Sequence, residues 1–139
     1  MKVHPMWDAY PALRYELEAT ISLIDKQVTI KNEEVQHKIK EMLFSGGKLL
    51  RPAYSLLFSE FSTDREPAKA RATAAALEVL HMATLIHDDV IDESAKRRGQ
   101  ETLNSAYGNR IAVYTGDYLF TLCFRLLQDH VGAASNKPL

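Results

Sequence analysis

Apolar residues recur every three to four positions along most of the chain, which is the spacing of a helix that buries one face. Leu13, Leu17, Ile21 and Ile24 form the first such series. No stretch alternates apolar and polar residues with period two, so we expect no sheet. The pattern predicts five helices, at about residues 8–30, 33–44, 52–61, 67–94 and 110–131.

The residues at the predicted helix boundaries support this assignment. Asn32, followed by two glutamates, is typical of an N-cap with an acidic first turn. Pro52 and Pro67 suit first helical positions, and we expect Asn109 to cap the last helix. Short connections favour antiparallel neighbours in a bundle. The predicted fold class is therefore all-α, with residues 1–139 as a single unit.

The long fourth helix ends in three carboxylates, Asp88, Asp89 and Asp92. Its upstream part is apolar on nearly every face and should be buried, where like charges are unfavourable unless cations neutralise them. Asp88 and Asp92 point the same way, whereas Asp89 lies about 100° round the helix, where it can hydrogen-bond or join the metal ligands at the edge. Such oxygen ligands suit Mg²⁺, which takes one or two carboxylates together with phosphate oxygens. The alternative is a solvated acidic helix end.

Two cationic motifs favour phosphate-bearing ligands. Arg97 and Arg98 follow the carboxylates, and adjacent side chains cannot face one direction. Lys48 and Arg51 belong to the segment Ser-Gly-Gly-Lys-Leu-Leu-Arg-Pro at residues 45–52, in which paired glycines allow a turn with positive φ. The start of a helix favours anions through its free N–H groups and dipole. Simple basic turns are the alternative for both motifs.

Two histidines on the fourth helix have different predicted roles. His81 lies on the face that carries Asp88 and Asp92, which makes it a candidate ligand. His87 lies on another face, and we expect it to be structural.

These motifs together resemble those of the trans-polyprenyl diphosphate synthases. Residues 46–52, His81, residues 88–92, residues 97–99 and the segment Tyr-Thr-Gly-Asp-Tyr-Leu-Phe at 114–120 occur in that family's order. The chain is similar to the N-terminal half of such enzymes, and most similar to the catalytic subunit of bacterial long-chain, heptaprenyl-type synthases. The resemblance implies an antiparallel helical bundle of the isoprenoid synthase type. It also implies Mg²⁺-dependent condensation of isopentenyl diphosphate with an allylic diphosphate.

The resemblance also implies a role for each motif. Asp88 and Asp92 would hold Mg²⁺ on the allylic diphosphate, and Arg97 would stabilise the departing diphosphate. Isopentenyl diphosphate would sit opposite, so that its double bond attacks the allylic cation. The residues implied to bind the two substrates are Lys48, Arg51, His81, Arg97 and Arg98.

The resemblance bears on product length as well. In short-chain members of the family, bulky side chains four and five residues before the first aspartate close the product cavity. Ala83 and Thr84 occupy these positions here, and both are small. We therefore expect an open tunnel and a long product. The alternative is that small residues only allow helices to pack closely.

The chain departs from the family after Asp92, where the second aspartate-rich motif and the Lys-Thr element do not occur. We therefore expect a truncated synthase that is inactive alone and works as a homodimer or with another synthase subunit. One alternative is a non-catalytic or complementing short subunit of a two-component synthase. Another is a metal-dependent phosphohydrolase, suggested by His87-Asp88, which would need further histidine ligands.

Composition limits the remaining possibilities. A net charge of −1 offers no electrostatic reason to expect nucleic acid or an anionic membrane surface. The single Cys123 excludes an internal disulfide and suits a reducing compartment. No apolar run reaches the roughly 18 residues of a membrane span, and residues 1–5 lack a secretory apolar segment. We expect a cytoplasmic protein without stable membrane insertion.

Overall fold

The computed structural model of the chain describes residues 3–45 and 47–131. A short 3₁₀ helix, Pro5–Trp7, precedes six α-helices within these ranges. A two-stranded antiparallel hairpin lies between the fourth and fifth of them. The elements are α1 (Pro11–Gln27), α2 (Glu33–Phe44), α3 (Leu50–Ser59), α4 (Pro67–Ile91), β1 (Lys96–Arg97), β2 (Gln100–Glu101), α5 (Leu103–Tyr107) and α6 (Asn109–His130).

The predicted all-α class is confirmed, but the expectation of no sheet is wrong for the β1–β2 hairpin. Its strands are two residues long and polar, so no period-two apolar pattern marks them. Arg98 (φ 50°) and Gly99 (φ 77°) form the turn between Arg97 and Gln100. Two central residues with positive φ are typical of tight hairpins, because their twist matches that of the strands.

Four residues were predicted to mark the start of a helix, and the structure confirms two of them. The Asn32 side chain accepts a hydrogen bond from the Val35 N–H at 3.1 Å, and Pro67 is the first residue of α4. Pro52 does not open α3, which begins at Leu50; within the first turn its missing N–H removes no helical bond. Asn109 is not a cap either, because Gly108 (φ 89°) reverses the chain and α6 starts at Asn109 itself.

α4 lies at the centre of the molecule and contacts α1, α3, α5 and α6. Five alanines in its first half are buried, which lets neighbouring helices approach closely: Ala70, Ala72, Ala74, Ala75 and Ala76. One core cluster joins α4 to α2 and α6 and includes Ile39, Val79 and Leu119. A second joins α1 and α3 to the 3₁₀ helix and includes Trp7 and Leu56. α4 is thereby held on several sides, which fixes the position of its C-terminal end relative to the neighbouring helices.

His87 connects α4 to α6, in keeping with its predicted structural role. Its Nε2 lies 3.1 Å from the carbonyl oxygen of Val113 and 3.3 Å from a carboxylate oxygen of Asp117. A Cβ atom at Gly116 would lie 2.2 Å from the same nitrogen, so glycine is required for this close approach. The last turns of α4 are therefore fixed against the first half of α6.

Candidate active site

A cavity of about 710 Å³ opens between the end of α2, the start of α3, the middle of α4 and the β-hairpin. Basic side chains from each of the last three regions line it. They come from positions far apart in the chain, and only the tertiary fold brings them together. The five residues predicted to bind substrate all belong to this lining: Lys48, Arg51, His81, Arg97 and Arg98.

The segment between α2 and α3 is held in place by the 3₁₀ helix near the N-terminus of the chain. The indole N–H of the buried Trp7 donates a hydrogen bond to the Lys48 carbonyl oxygen at 2.8 Å. Leu49 then adopts the left-handed conformation (φ 55°) immediately before α3. The sequence placed this positive φ at the paired glycines, of which Gly46 lies outside the described residues. A left-handed leucine costs about 1–2 kcal/mol, so packing must hold it.

Arg97 is held by a buried carboxylate. Asp89 is only 2% exposed. The Arg97 Nη2 lies 2.8 Å from its Oδ1, and the Arg97 Nε lies 3.1 Å from its Oδ2. This hydrogen bonding raises the pKa of Arg97 further, with smaller contributions from the charges of the three aspartates. Asp89, which the sequence left either as a hydrogen-bonding neighbour of the metal site or as a shared ligand, therefore neutralises and orients an arginine of the cavity.

Asp88 and Asp92 do not line the cavity. Both are exposed at the end of α4, one helical turn apart, and the Asp92 N–H donates to the Asp88 carbonyl oxygen at 2.8 Å. Their negative charges contribute to the raised pKa of Arg97, and Arg97 lines the cavity. The aspartate pair and the cavity therefore adjoin at Arg97. The sequence prediction of a shared helix face is compatible with these positions.

The carboxylate oxygens of Asp88 and Asp92 are suitable ligands for magnesium. Two exposed carboxylates leave room for water and phosphate oxygens, which Mg²⁺ keeps in its coordination shell. Across the described ranges, no group of three or more His, Cys, Asp or Glu residues is arranged to hold a metal ion by itself. The histidine cluster that a metal-dependent phosphohydrolase would need is therefore not found in that part of the chain.

Glu78 is a cavity residue that the sequence reasoning missed. It lies three residues before His81 on α4 and lines the same cavity. Burial raises the pKa of Glu78, while the charges of Arg51 and Arg98 oppose that rise. Burial lowers the pKa of His81, and three neighbouring arginines lower it further. The sequence did contain a signal for Glu78, since it is an acidic residue inside an apolar helix and lies one turn from the candidate ligand His81.

Ala83 and Thr84 lie in different surroundings. Ala83 is completely buried in the core shared by α2, α4 and α6. Thr84 is exposed, and its hydroxyl donates a hydrogen bond to the His81 carbonyl oxygen at 2.7 Å. Of the two residues predicted to set chain length, only Thr84 faces open space in this structure.

A bundle of helices with a basic cavity next to an aspartate pair defines the class of the isoprenoid synthases. The chain belongs to the polyprenyl synthetase family, whose family model matches residues 32–138. It is 36% identical over 116 residues to the heptaprenyl diphosphate synthase component 2 of Geobacillus stearothermophilus, which covers 76% of this chain and 36% of that protein. This agrees with the resemblance seen in the motifs.

Solved structures show the same relationship. The geranylgeranyl pyrophosphate synthase of Lactobacillus brevis has a TM-score of 0.83 and 46% identity, over 88% of this chain and 38% of that one. The heptaprenyl diphosphate synthase of Staphylococcus aureus has a TM-score of 0.74 and 36% identity, over 84% and 37% respectively. The chain spans about a third of the length of the curated relatives it matches. Among the described helices, none is long and apolar enough to cross a membrane.

Proposed function

We propose that this chain supplies the isopentenyl diphosphate site and the first magnesium site of a prenyltransferase that makes long-chain trans-polyprenyl diphosphates. The observation that carries the proposal is the convergence of the five basic side chains on one cavity beside the Asp88–Asp92 pair. A diphosphate carries several negative charges, and charge-assisted hydrogen bonds to it are about twice as strong as neutral ones.

The cavity residues divide the work of binding isopentenyl diphosphate. Lys48, Arg51 and Arg98 supply positive charge to the phosphate oxygens. His81 is neutral near pH 7, because burial and the arginines lower its pKa, and it contributes an N–H donor without adding charge. Together these groups would hold the diphosphate end and leave the double bond free to react.

Arg97 serves the allylic substrate. When the allylic C–O bond breaks, its electron pair leaves with the diphosphate, and a fixed guanidinium stabilises that charge without reorganising. The Asp89 contact provides the required fixation. Asp88 and Asp92 would hold Mg²⁺, which when bound supplies further positive charge to the leaving group. The isopentenyl double bond then donates electrons to the allylic carbon, and loss of a proton completes the product.

Assembly and location form a separate part of the proposal. The words "component 2" in the name of the Geobacillus relative fit an enzyme of more than one subunit. We propose that this chain works in the cytoplasm as a homodimer or with another synthase subunit, and that it is inactive alone. A complementing, non-catalytic role is the alternative. It requires that labelled isopentenyl diphosphate be incorporated equally well when Asp88 is replaced in the assembled enzyme.

Calorimetric titration of the 139-residue chain with isopentenyl diphosphate tests the proposed site. We expect Lys48→Ala, Arg51→Ala and Arg98→Ala each to weaken binding about tenfold or more, since a hydrogen bond to a charged group contributes about 1.5–3 kcal/mol. Lys96→Ala is the matched control, because Lys96 is exposed on β1 beside Arg97 and does not line the cavity. Binding that is unaffected by the three cavity variants would refute the site.

Product length provides a separate prediction about α4. In the active enzyme, Thr84→Phe should shorten the product and leave the melting temperature nearly unchanged, because Thr84 faces open space. Ala83→Phe should instead lower the free energy of unfolding by about 1–3 kcal/mol, because it overpacks a filled core. A product chromatogram and a melting curve for each variant distinguish the two. Full-length product from a stable Thr84→Phe enzyme would place the tunnel elsewhere.

A further inference from the structure

Glu78 is an acidic side chain in a cavity otherwise suited to anions. It lies in the middle of α4, one turn before His81, and lines the cavity with the basic residues. Its Oε2 is buried and has no hydrogen-bond partner among the described residues. A buried charged oxygen without a donor is costly, more so than a neutral one. The geometry therefore disfavours the ionised form of this side chain.

The surroundings of Glu78 act in opposite directions. Burial raises the pKa of Glu78 and is the larger influence; Arg51 from α3 and Arg98 from the hairpin turn lower it. Once a diphosphate engages the arginines, their charge is shared with the ligand and a second anion lies nearby. Both changes favour the protonated carboxyl. The charged or titratable groups lining the same cavity are Lys48, Arg51, His81, Arg97, Arg98 and Glu101.

We propose that Glu78 binds the diphosphate as a neutral carboxylic acid, donating its O–H to a phosphate oxygen, so that binding takes up one proton from solvent whenever Glu78 was ionised. A protonated acid is a donor, whereas a carboxylate only accepts. The carboxyl group of Glu78, which lines the cavity, then gains a hydrogen-bond partner in the bound state. This inference rests on the proposed diphosphate site. It adds that binding of the diphosphate is coupled to protonation of Glu78.

The test is titration of the 139-residue chain with inorganic pyrophosphate between pH 6 and 9, in buffers of different ionisation enthalpy. Glu78→Gln keeps a hydrogen-bond donor but cannot take up a proton. We expect the affinity of the wild type for pyrophosphate to fall as the pH rises above the pKa of Glu78. The fall should be steeper than in Glu78→Gln, by a factor of up to about ten per pH unit. Protonation of pyrophosphate and His81 contributes to both proteins and cancels in the comparison.

Two further variants complete the design. Glu101→Gln alters the other carboxyl of the cavity lining, which is exposed, and should leave proton uptake as in the wild type. Glu78→Ala removes charge and donor together, and should bind pyrophosphate more weakly than Glu78→Gln at every pH. Melting curves of all variants verify that each is folded.

The outcomes separate this inference from the proposed function. Identical pH dependence and proton uptake in the wild type and Glu78→Gln would overturn the role of Glu78 alone. Loss of affinity in Glu78→Gln at every pH would also overturn it, because the ionised carboxylate would then be needed to hold the arginines. If the wild type bound neither pyrophosphate nor isopentenyl diphosphate, the diphosphate site itself would be refuted.

Discussion

Asp88→Ala or Asp92→Ala should reduce turnover of the active enzyme by a factor of about 10²–10³ or more, the scale of losing one electrostatic stabiliser of the transition state. The chain should remain folded, because both side chains are exposed. Removing one carboxylate also relieves like-charge repulsion at i,i+4, a gain of about 0.2–0.5 kcal/mol. The measurements are incorporation of labelled isopentenyl diphosphate and the melting temperature of the metal-free chain.

A control and a binding measurement make this result specific. Asp64→Ala removes an exposed carboxylate from the α3–α4 connection and should leave turnover unchanged. Calorimetric titration of the chain with Mg²⁺ in the presence of pyrophosphate should give weaker binding in both α4 variants. A collapse of the melting temperature without metal would show instead that the carboxylates are structural.

The second large effect concerns the Arg97–Asp89 pair and is asymmetric. Arg97→Met should lower the free energy of unfolding by about 3 kcal/mol or more, because it leaves the carboxylate of Asp89 buried without a partner. Asp89→Asn should cost less, about 1–2 kcal/mol. Asparagine still offers an acceptor, and the Arg97 side chain is 35% exposed and can be hydrated. Urea unfolding of each variant measures the difference.

Activity and a double variant extend this test. Asp89→Asn should lower turnover in a chain that stays folded, because asparagine keeps one acceptor for Arg97 but lacks the second carboxylate oxygen that helps to orient the guanidinium. Asp89→Leu combined with Arg97→Met should recover part of the stability lost in Arg97→Met alone, since no buried charge remains unpaired. If Arg97→Met and Asp89→Asn lowered the free energy of unfolding equally, the unpaired carboxylate of Asp89 would not be the main cause of the loss in Arg97→Met.

Much of the fold and part of the site could be predicted because the signals are local. The cap of α2 at Asn32 and the start of α4 at Pro67 depend on contacts within one helical turn. The spacing of Asp88 and Asp92 places them on one face wherever that helix lies. Lys48 and Arg51 were correctly placed at the beginning of α3, where nothing in the sequence indicated that Leu49 takes the left-handed conformation.

The sequence by itself determined the all-helical class, the family and the set of basic side chains that line one cavity. Only the tertiary structure decided that Asp89 pairs with Arg97, that Glu78 lies among the basic residues, and that Ala83 is buried while Thr84 is exposed. The reason is physical. Helical periodicity is set by neighbours three and four residues away, but burial and pairing depend on which other elements pack against a helix, and those lie far along the chain.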